Sequence, residues 1–324
     1  PDVFTCACHA LDAGIPGAPT PTAYRVTPSQ SLAEATQAIL AAQRFAMWAN
    51  TRGAACDLDD DFVHDVRVAT RRSRWALKLL TPYFGRDVCG PMRAELKWIA
   101  DLLGRVRDLD VFLAWFETAD ISRTASSAVS RAITRRLRQM RGPSQRCLRD
   151  ALRSERYRAL LDAMARGITP GDDAKKDANV PVTDAATERI AATLKTLAKW
   201  RRHDPHDLSL EELHKVRIRF KRVRYTCEFF AGCFDGQVKK FIRKCKGFQD
   251  CLGELNDARV ARGIVLRVID SFKGDEAGVA DILVELGRVL QAQDVRIARE
   301  RENFLEEWDA FPAAVKKLKK SVAG

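Results

Sequence analysis

Apolar residues recur along most of the chain at spacings of three and four, the period of an amphipathic helix. The pattern is clearest where Leu213, Val216, Phe220, Val223, Cys227 and Phe230 mark one face. One residue further on, His214, Arg217, Lys221 and Arg224 keep the same spacing. An earlier stretch has the same layout, with Val63, Val66, Thr70, Ser73, Leu77 and Leu80 on the core stripe and His64, Arg67, Arg71, Arg74 and Lys78 beside it. At roughly 100° per residue each polar set fills an arc of about 80°. From His64 to Lys78 the row runs about 21 Å at the usual helical rise. No stretch shows convincing strand alternation, so the expected class is all-α.

The two stretches are copies of one another. HDVRVATRRSRWALK (64–78) and HKVRIRFKRVRYTCE (214–228) share His64/His214, Val66/Val216, Arg67/Arg217, Arg72/Arg222 and Arg74/Arg224. Val68/Ile218, Arg71/Lys221 and Trp75/Tyr225 are conservative pairs. A second pair follows at matching distance: LGRVRDLDV (103–111), which holds Arg107, and LGELNDARV (252–260). Lys97 and Lys246 also correspond. Such repetition implies two equivalent halves. The expected fold is two pseudo-symmetric bundles of four or five helices, with both cation rows facing a shared groove or pore. The expected divisions are a tail at 1–27, an N-terminal half at 28–167, a linker at 168–184 and a C-terminal half at 185–320.

Local signals place the helix ends. Ser31 with Glu34, and Ser209 with Glu212, read as capping boxes. The first helix is expected to stop near Gly53, and the first His/Arg helix at Thr81-Pro82. The next helix should begin after Gly90-Pro91 and break at Gly104, leaving Asp108 to cap its successor. The same reading makes Asp257 a cap. Gly142-Pro143 should split two basic helices at about 121–140 and 144–166, and Pro312 should end a run begun near 276, leaving VKKLKKSVAG as a basic tail.

Composition narrows the chemistry. At 324 residues, 46% hydrophobic and 30% charged, the chain reads as an ordinary soluble globular protein. Its net charge of +12 favours an acidic partner. No apolar run approaches the length of a membrane span, and residues 1–30 lack a secretory signal pattern. The chain begins at Pro1 without an initiator Met, so the native N-terminus is expected upstream. Nine cysteines without a CxxC pair suggest reduced thiols in a cytosolic protein, with Cys147, Cys227 and Cys251 in the core. Cys6, Cys8 and His9 have metal-ligating chemistry but lack a fourth ligand, and no metal or other cofactor is expected.

A charge run on a helix is ordinarily a solvated face. Here residues 64–78 hold five cations and one acid. Like charges three or four apart destabilise a helix slightly, and an ordinary solvated face would intersperse acids. Two such rows in one register therefore read as a binding feature.

These four segments, HDVRVATRRSRWALKLL, LGRVRDLDV, HKVRIRFKRVRYTCEFF and LGELNDARV, resemble the signature segments of the CHAD domain, the conserved histidine α-helical domain. The likeness runs from about Pro28 to the last helix. It implies two four-helix bundles with a basic central pore, and non-catalytic binding of inorganic polyphosphate. Some members of the family sit on polyphosphate granules (the phosins), and others follow a triphosphate tunnel domain that this chain does not show. Carried over by position, the binding residues are His64, Arg67, Arg71, Arg72 and Arg74, and His214, Arg217, Lys221, Arg222 and Arg224. Lys78, Lys97, Arg107 and Lys246 complete the candidate set.

The chemistry agrees with that implication. Polyphosphate offers charge and no base, so a line of cations suffices, with arginine forks donating two hydrogen bonds to one phosphate. Sulfate or phosphate ions should occupy the same site. The alternatives are a general polyanion or nucleic-acid binder, or an accessory module of a triphosphatase. No exposed aromatics interleave with the rows to stack bases, and no exposed apolar face suits a membrane surface. Asp108, Asp110 and Asp257 could hold a metal beside phosphate, but only one acid recurs in both halves and no hydrolase or kinase motif is present.

Overall fold

The computed structural model describes residues 25–119, 126–169, 178–234, 236–272 and 278–323. Among them, the α-helices in chain order are α1 (Leu32–Cys56), α2 (Asp60–Phe84), α3 (Arg86–Thr118), α4 (Ser127–Arg153), α5 (Glu155–Arg166), α6 (Val182–Ala198), α7 (Leu210–Phe229), α8 (Gly236–Asp270) and α9 (Val279–Ala323). No strand occurs among the described residues; Ser31 and Pro181 form an isolated bridge. None of the described helices is long and apolar enough to cross a membrane.

Both capping boxes form. Ser31 accepts from the Glu34 backbone N–H while the Glu34 carboxylate takes the Ser31 N–H at 2.8 Å. Ser209 and Glu212 repeat the arrangement at the start of α7. Each box satisfies two of the helix's orphan donors.

Four expected helix breaks do not occur. Pro82, Pro91, Pro143 and Pro312 all lie inside helices. Pro312 shows why. A proline in a helix interior costs about 3 kcal/mol. Phe311 and Leu318 flank it, each 1% exposed, in one apolar cluster. Burying each returns roughly 1.5–3 kcal/mol, so the helix continues and the basic tail is helical. Gly104 and Gly253 are likewise passed through, so Asp108 and Asp257 lie mid-helix and are not caps. The break assigned to Gly142-Pro143 comes instead at Ser154, which caps α5 through the Tyr157 N–H.

Packing divides the chain into two compact units. The first is formed from the described residues of Pro1–Arg107 and Pro143–Pro181. In it α1 packs on α2 closely enough that a Cβ on Gly53 would overlap the Phe62 ring. The hydroxyl of Tyr157 on α5 meets Thr51 of α1 at 3.0 Å. Burial pushes that phenol up to about 12. The Leu32 N–H donates to the Val180 carbonyl at 3.0 Å, tying the end of the unit to its beginning.

The second unit takes the described residues of Asp108–Gly142 and Val182–Gly324. Its aromatic core stacks Phe220 on Phe248 at 4.6 Å, with Phe311 edge-on to Phe220 at 4.8 Å. A second cluster places Leu109, Phe112, Phe116, Ile133 and Leu137 with Ile264, Val265 and Val268 of α8 and Leu286 and Val289 of α9. The described residues of 108–142 therefore pack in this unit, whereas a division at the 168–184 linker assigns them to the first half. Their apolar stripe finds its cover on α8 and α9, which chain order does not reveal.

The buried thiols include Cys227 and Cys245, both fully buried, and burial pushes Cys227 up to about 12. Cys147 is exposed rather than in the core, and Cys251 is half-buried.

Candidate polyanion site

The core stripe of each His/Arg helix is buried as its spacing predicts. Val63, Val66, Thr70, Ser73, Leu77 and Leu80, and Leu213, Val216, Phe220, Val223, Cys227 and Phe230, are all at most 1% exposed. The polar members of the first stripe satisfy themselves locally. Thr70 donates to the Val66 carbonyl at 2.7 Å and Ser73 to that of Ala69 at 2.9 Å.

The neighbouring row sits at the edge of this buried face. Arg67, Arg71, Arg72 and Arg74 are half-buried, and His64 and Lys78 are exposed. In the second copy His214, Arg217, Lys221, Arg222 and Arg224 are all half-buried. Aliphatic stems packed at a core boundary restrict the guanidinium heads, which lowers the entropy lost on gripping a ligand.

In each unit the second repeated segment meets the first turn of the His helix. Arg107 on α3 donates to the Asp60 carboxylate at 2.7 Å and lies close enough to His64 to act on it electrostatically. In the other copy Asn256 takes the place of Arg107, and its Oδ1 lies 2.6 Å from His214 Nδ1. Arg259, one helical turn further, reaches Glu211 at 3.1 Å. Arg259 Nη2 also approaches Asn256 Oδ1 at 3.4 Å, which sets the amide with its oxygen toward the guanidinium. Since that oxygen only accepts, His214 donates through Nδ1, and Nε2 is the nitrogen turned away from Asn256.

Both histidines are held below their ordinary pKa. For His64, which keeps solvent access, the causes are partial burial, then Arg107, Arg71 and Arg67, opposed by Asp61. For His214 burial again leads; the Asn256 hydrogen bond opposes it, and Arg259 and Arg217 add to it. Arg74 is depressed by burial and by Arg93, opposed by Asp101. Burial, with Asp61, raises Asp65. Beside burial, neighbouring arginines contribute to both shifts, and an anion bound there would offset that contribution.

The remaining candidates spread out. Lys97 is exposed and pairs with Asp101 at 2.6 Å, and Lys246 is exposed on α8. Arg224 lies over the Tyr225 ring at 5.0 Å and pairs with Glu228 at 3.4 Å. Asp110 is buried and ion-paired with Arg141. Asn256, Arg259 and Arg93 belong to the site's surroundings and were not among the expected residues. The signal for the first two was available, because they stand one turn apart in a repeated segment. Cys6, Cys8 and His9 lie outside the described residues. Among the described residues no three His, Cys, Asp or Glu side chains group as a metal site needs.

A family model for the CHAD domain matches residues 38–266. The chain belongs to the CHAD-domain family. Uncharacterized protein Rv2226 of Mycobacterium tuberculosis (strain ATCC 25618 / H37Rv) is 30% identical to this CHAD chain over 270 residues, covering 81% of this chain and 49% of its own. Uncharacterized protein MT2285 of strain CDC 1551 / Oshkosh matches to the same extent. The chain thus spans about half the length of the curated relatives it matches. Among solved structures, the CHAD domain from the plant Ricinus communis aligns with a TM-score of 0.71 at 22% identity, covering 88% of this chain and 95% of that one. PptA from Streptomyces chartreusis aligns at 0.67 and 18% identity, covering 86% and 100%. These likenesses establish the all-α CHAD fold.

Proposed function

We propose that this CHAD domain binds inorganic polyphosphate non-catalytically along the His64–Lys78 and His214–Arg224 rows. The observation that carries the reading is the duplicated constellation: a cation row at a core edge, its histidine depressed by burial and then by surrounding cations, and a second repeated segment braced against the same helix turn. The site is rich in arginine forks, which suit a phosphate chain. Binding to the polymer itself would carry the protein to polyphosphate granules in the cytoplasm.

The test is competition for immobilised long-chain polyphosphate by short polyphosphate, ATP, single-stranded DNA and RNA at fixed salt. Selective competition by polyphosphate supports the reading. Equal competition by nucleic acids replaces it with general polyanion binding. Sustained orthophosphate release with Mg²⁺ or Mn²⁺ replaces the non-catalytic role with a hydrolytic one.

A further inference from the structure

Helix α4 holds eight arginines and one acid, Asp150, in Ser127–Arg153. Six of the arginines are in phase. Arg131, Arg135, Arg138, Arg146, Arg149 and Arg153 fall within an arc of about 80° at roughly 100° per residue. Arg131, Arg135 and Arg138 belong to the second unit and span about 11 Å along the helix, whereas Arg146, Arg149 and Arg153 belong to the first. The helix buries its other side, where Ile133, Leu137 and Leu148 are fully enclosed. The two arginines out of phase are spent internally: Arg136 donates to the Ser271 carbonyl and lies over Phe272, and Arg141 pairs with Asp110.

The ridge differs from the two His/Arg rows. Arg131, Arg135, Arg138, Arg146 and Arg153 are exposed. Arg138 meets Glu117 at 3.1 Å, and Arg149 meets Asp150 at 3.2 Å. Such exposed pairs contribute at most about 1 kcal/mol and yield readily to a stronger anion. Arg153 makes a 3.9 Å contact with the Cys56 thiol. A concavity of about 930 Å³ along the first turns is lined by Arg131, Thr134, Arg135, Arg138 and Gln139. Like charges three and four apart repel along a helix, and the Arg131–Arg135 pair costs helix stability in this way.

We infer that Arg131, Arg135 and Arg138, the exposed arginines of α4 in the second unit, form a second binding track for polyphosphate, built from residues other than those of the two His/Arg rows. The inference rests on the polyphosphate reading proposed above. The ligand is an unadorned phosphate chain because the ridge is arginine throughout and no large apolar or aromatic side chain is exposed on α4 among the described residues. Base stacking and insertion into a bilayer both need such groups.

Arginine footprinting of the full chain with phenylglyoxal, read residue by residue by mass spectrometry, tests the inference. Long-chain polyphosphate should protect Arg131, Arg135 and Arg138 as well as Arg67 and Arg217. Protection of the rows without the ridge overturns the ridge and leaves the row reading intact. Protection of neither overturns both. Protection of the ridge by single-stranded DNA but not by polyphosphate makes it a nucleic-acid surface and overturns the inference. In parallel, the R131Q/R135Q/R138Q variant should lower the salt slope of polyphosphate binding by roughly two, at about 0.7 per cation for a single-stranded polymer. The corresponding lysine variant should restore it, and an unchanged slope in the glutamine variant overturns the track.

Discussion

His214 donates its Nδ1–H to Asn256 Oδ1 across 2.6 Å, fixing one tautomer and turning Nε2 away. His64, its repeat equivalent, has the cation Arg107 where His214 has that amide. Burial drives both rings toward the neutral form; Arg107, Arg71 and Arg67 add to it at His64, and Arg259 and Arg217 at His214, where the Asn256 hydrogen bond opposes it.

The first expected outcome concerns pH. Polyphosphate supplies the negative charge that both histidines lack, so binding should take up protons. Affinity should rise as pH falls below the ordinary histidine value of about 6.5. The sign for the free protein is opposite. A histidine whose folded pKa is depressed contributes stability above about pH 6.5 and loses it as pH falls through the folded value. Calorimetry in buffers of different ionisation enthalpy measures the uptake, and the H64Q/H214Q variant should abolish it.

Replacing Arg67 and Arg71, or Arg217 and Lys221, with alanine should weaken polyphosphate binding while far-UV circular dichroism stays unchanged. A hydrogen bond to a charged group is worth about 1.5–3 kcal/mol. Each pair should therefore cost at least tenfold in affinity, and salt titrations should show the slope falling by about 0.7 per cation removed. Unchanged affinity in a folded variant removes these residues from the site.

Asp110 is buried and paired with Arg141. Breaking a buried pair on one side strands a charge and costs about 3–5 kcal/mol. R141M should lower the melting temperature by an amount that D110N/R141M partly restores. A carboxylate serving a metal would instead give the wild type a melting temperature that responds to divalent cations.

Gly53 faces the Phe62 ring with no room for a methyl group. G53A should destabilise the protein by about 1–3 kcal/mol, the cost of overpacking. F62L should recover part of that loss, and thermal melts of the single and double variants measure the coupling.

The helical class, the duplicated rows and their buried stripes were legible because each is carried by spacing within one helix. Val63 through Leu80 lie on the core face as their period requires. What was not legible depends on contacts distant in sequence. Pro143 reads as a breaker, yet the apolar period continues on both sides of it, from Leu137 to Leu148. Asp108 reads as a cap only if Gly104 ends a helix, and α3 runs through both. Asn256 and Arg259 look like neutral variation in a repeat until His214 and Glu211 are found against them.

The route of the chain between its two packing units also has a consequence for synthesis. Residues 108–142 are made early, yet the surfaces that cover Leu109, Phe112 and Phe116 lie on α8 and α9. At roughly 5–20 residues per second, the ribosome delivers those helices on the order of ten seconds later. For that interval an apolar stripe flanked by arginines waits without its partner, and chaperones have the opportunity to hold it. Neither unit is a contiguous piece of the gene, so a cut at the linker would part this segment from the helices that shelter it.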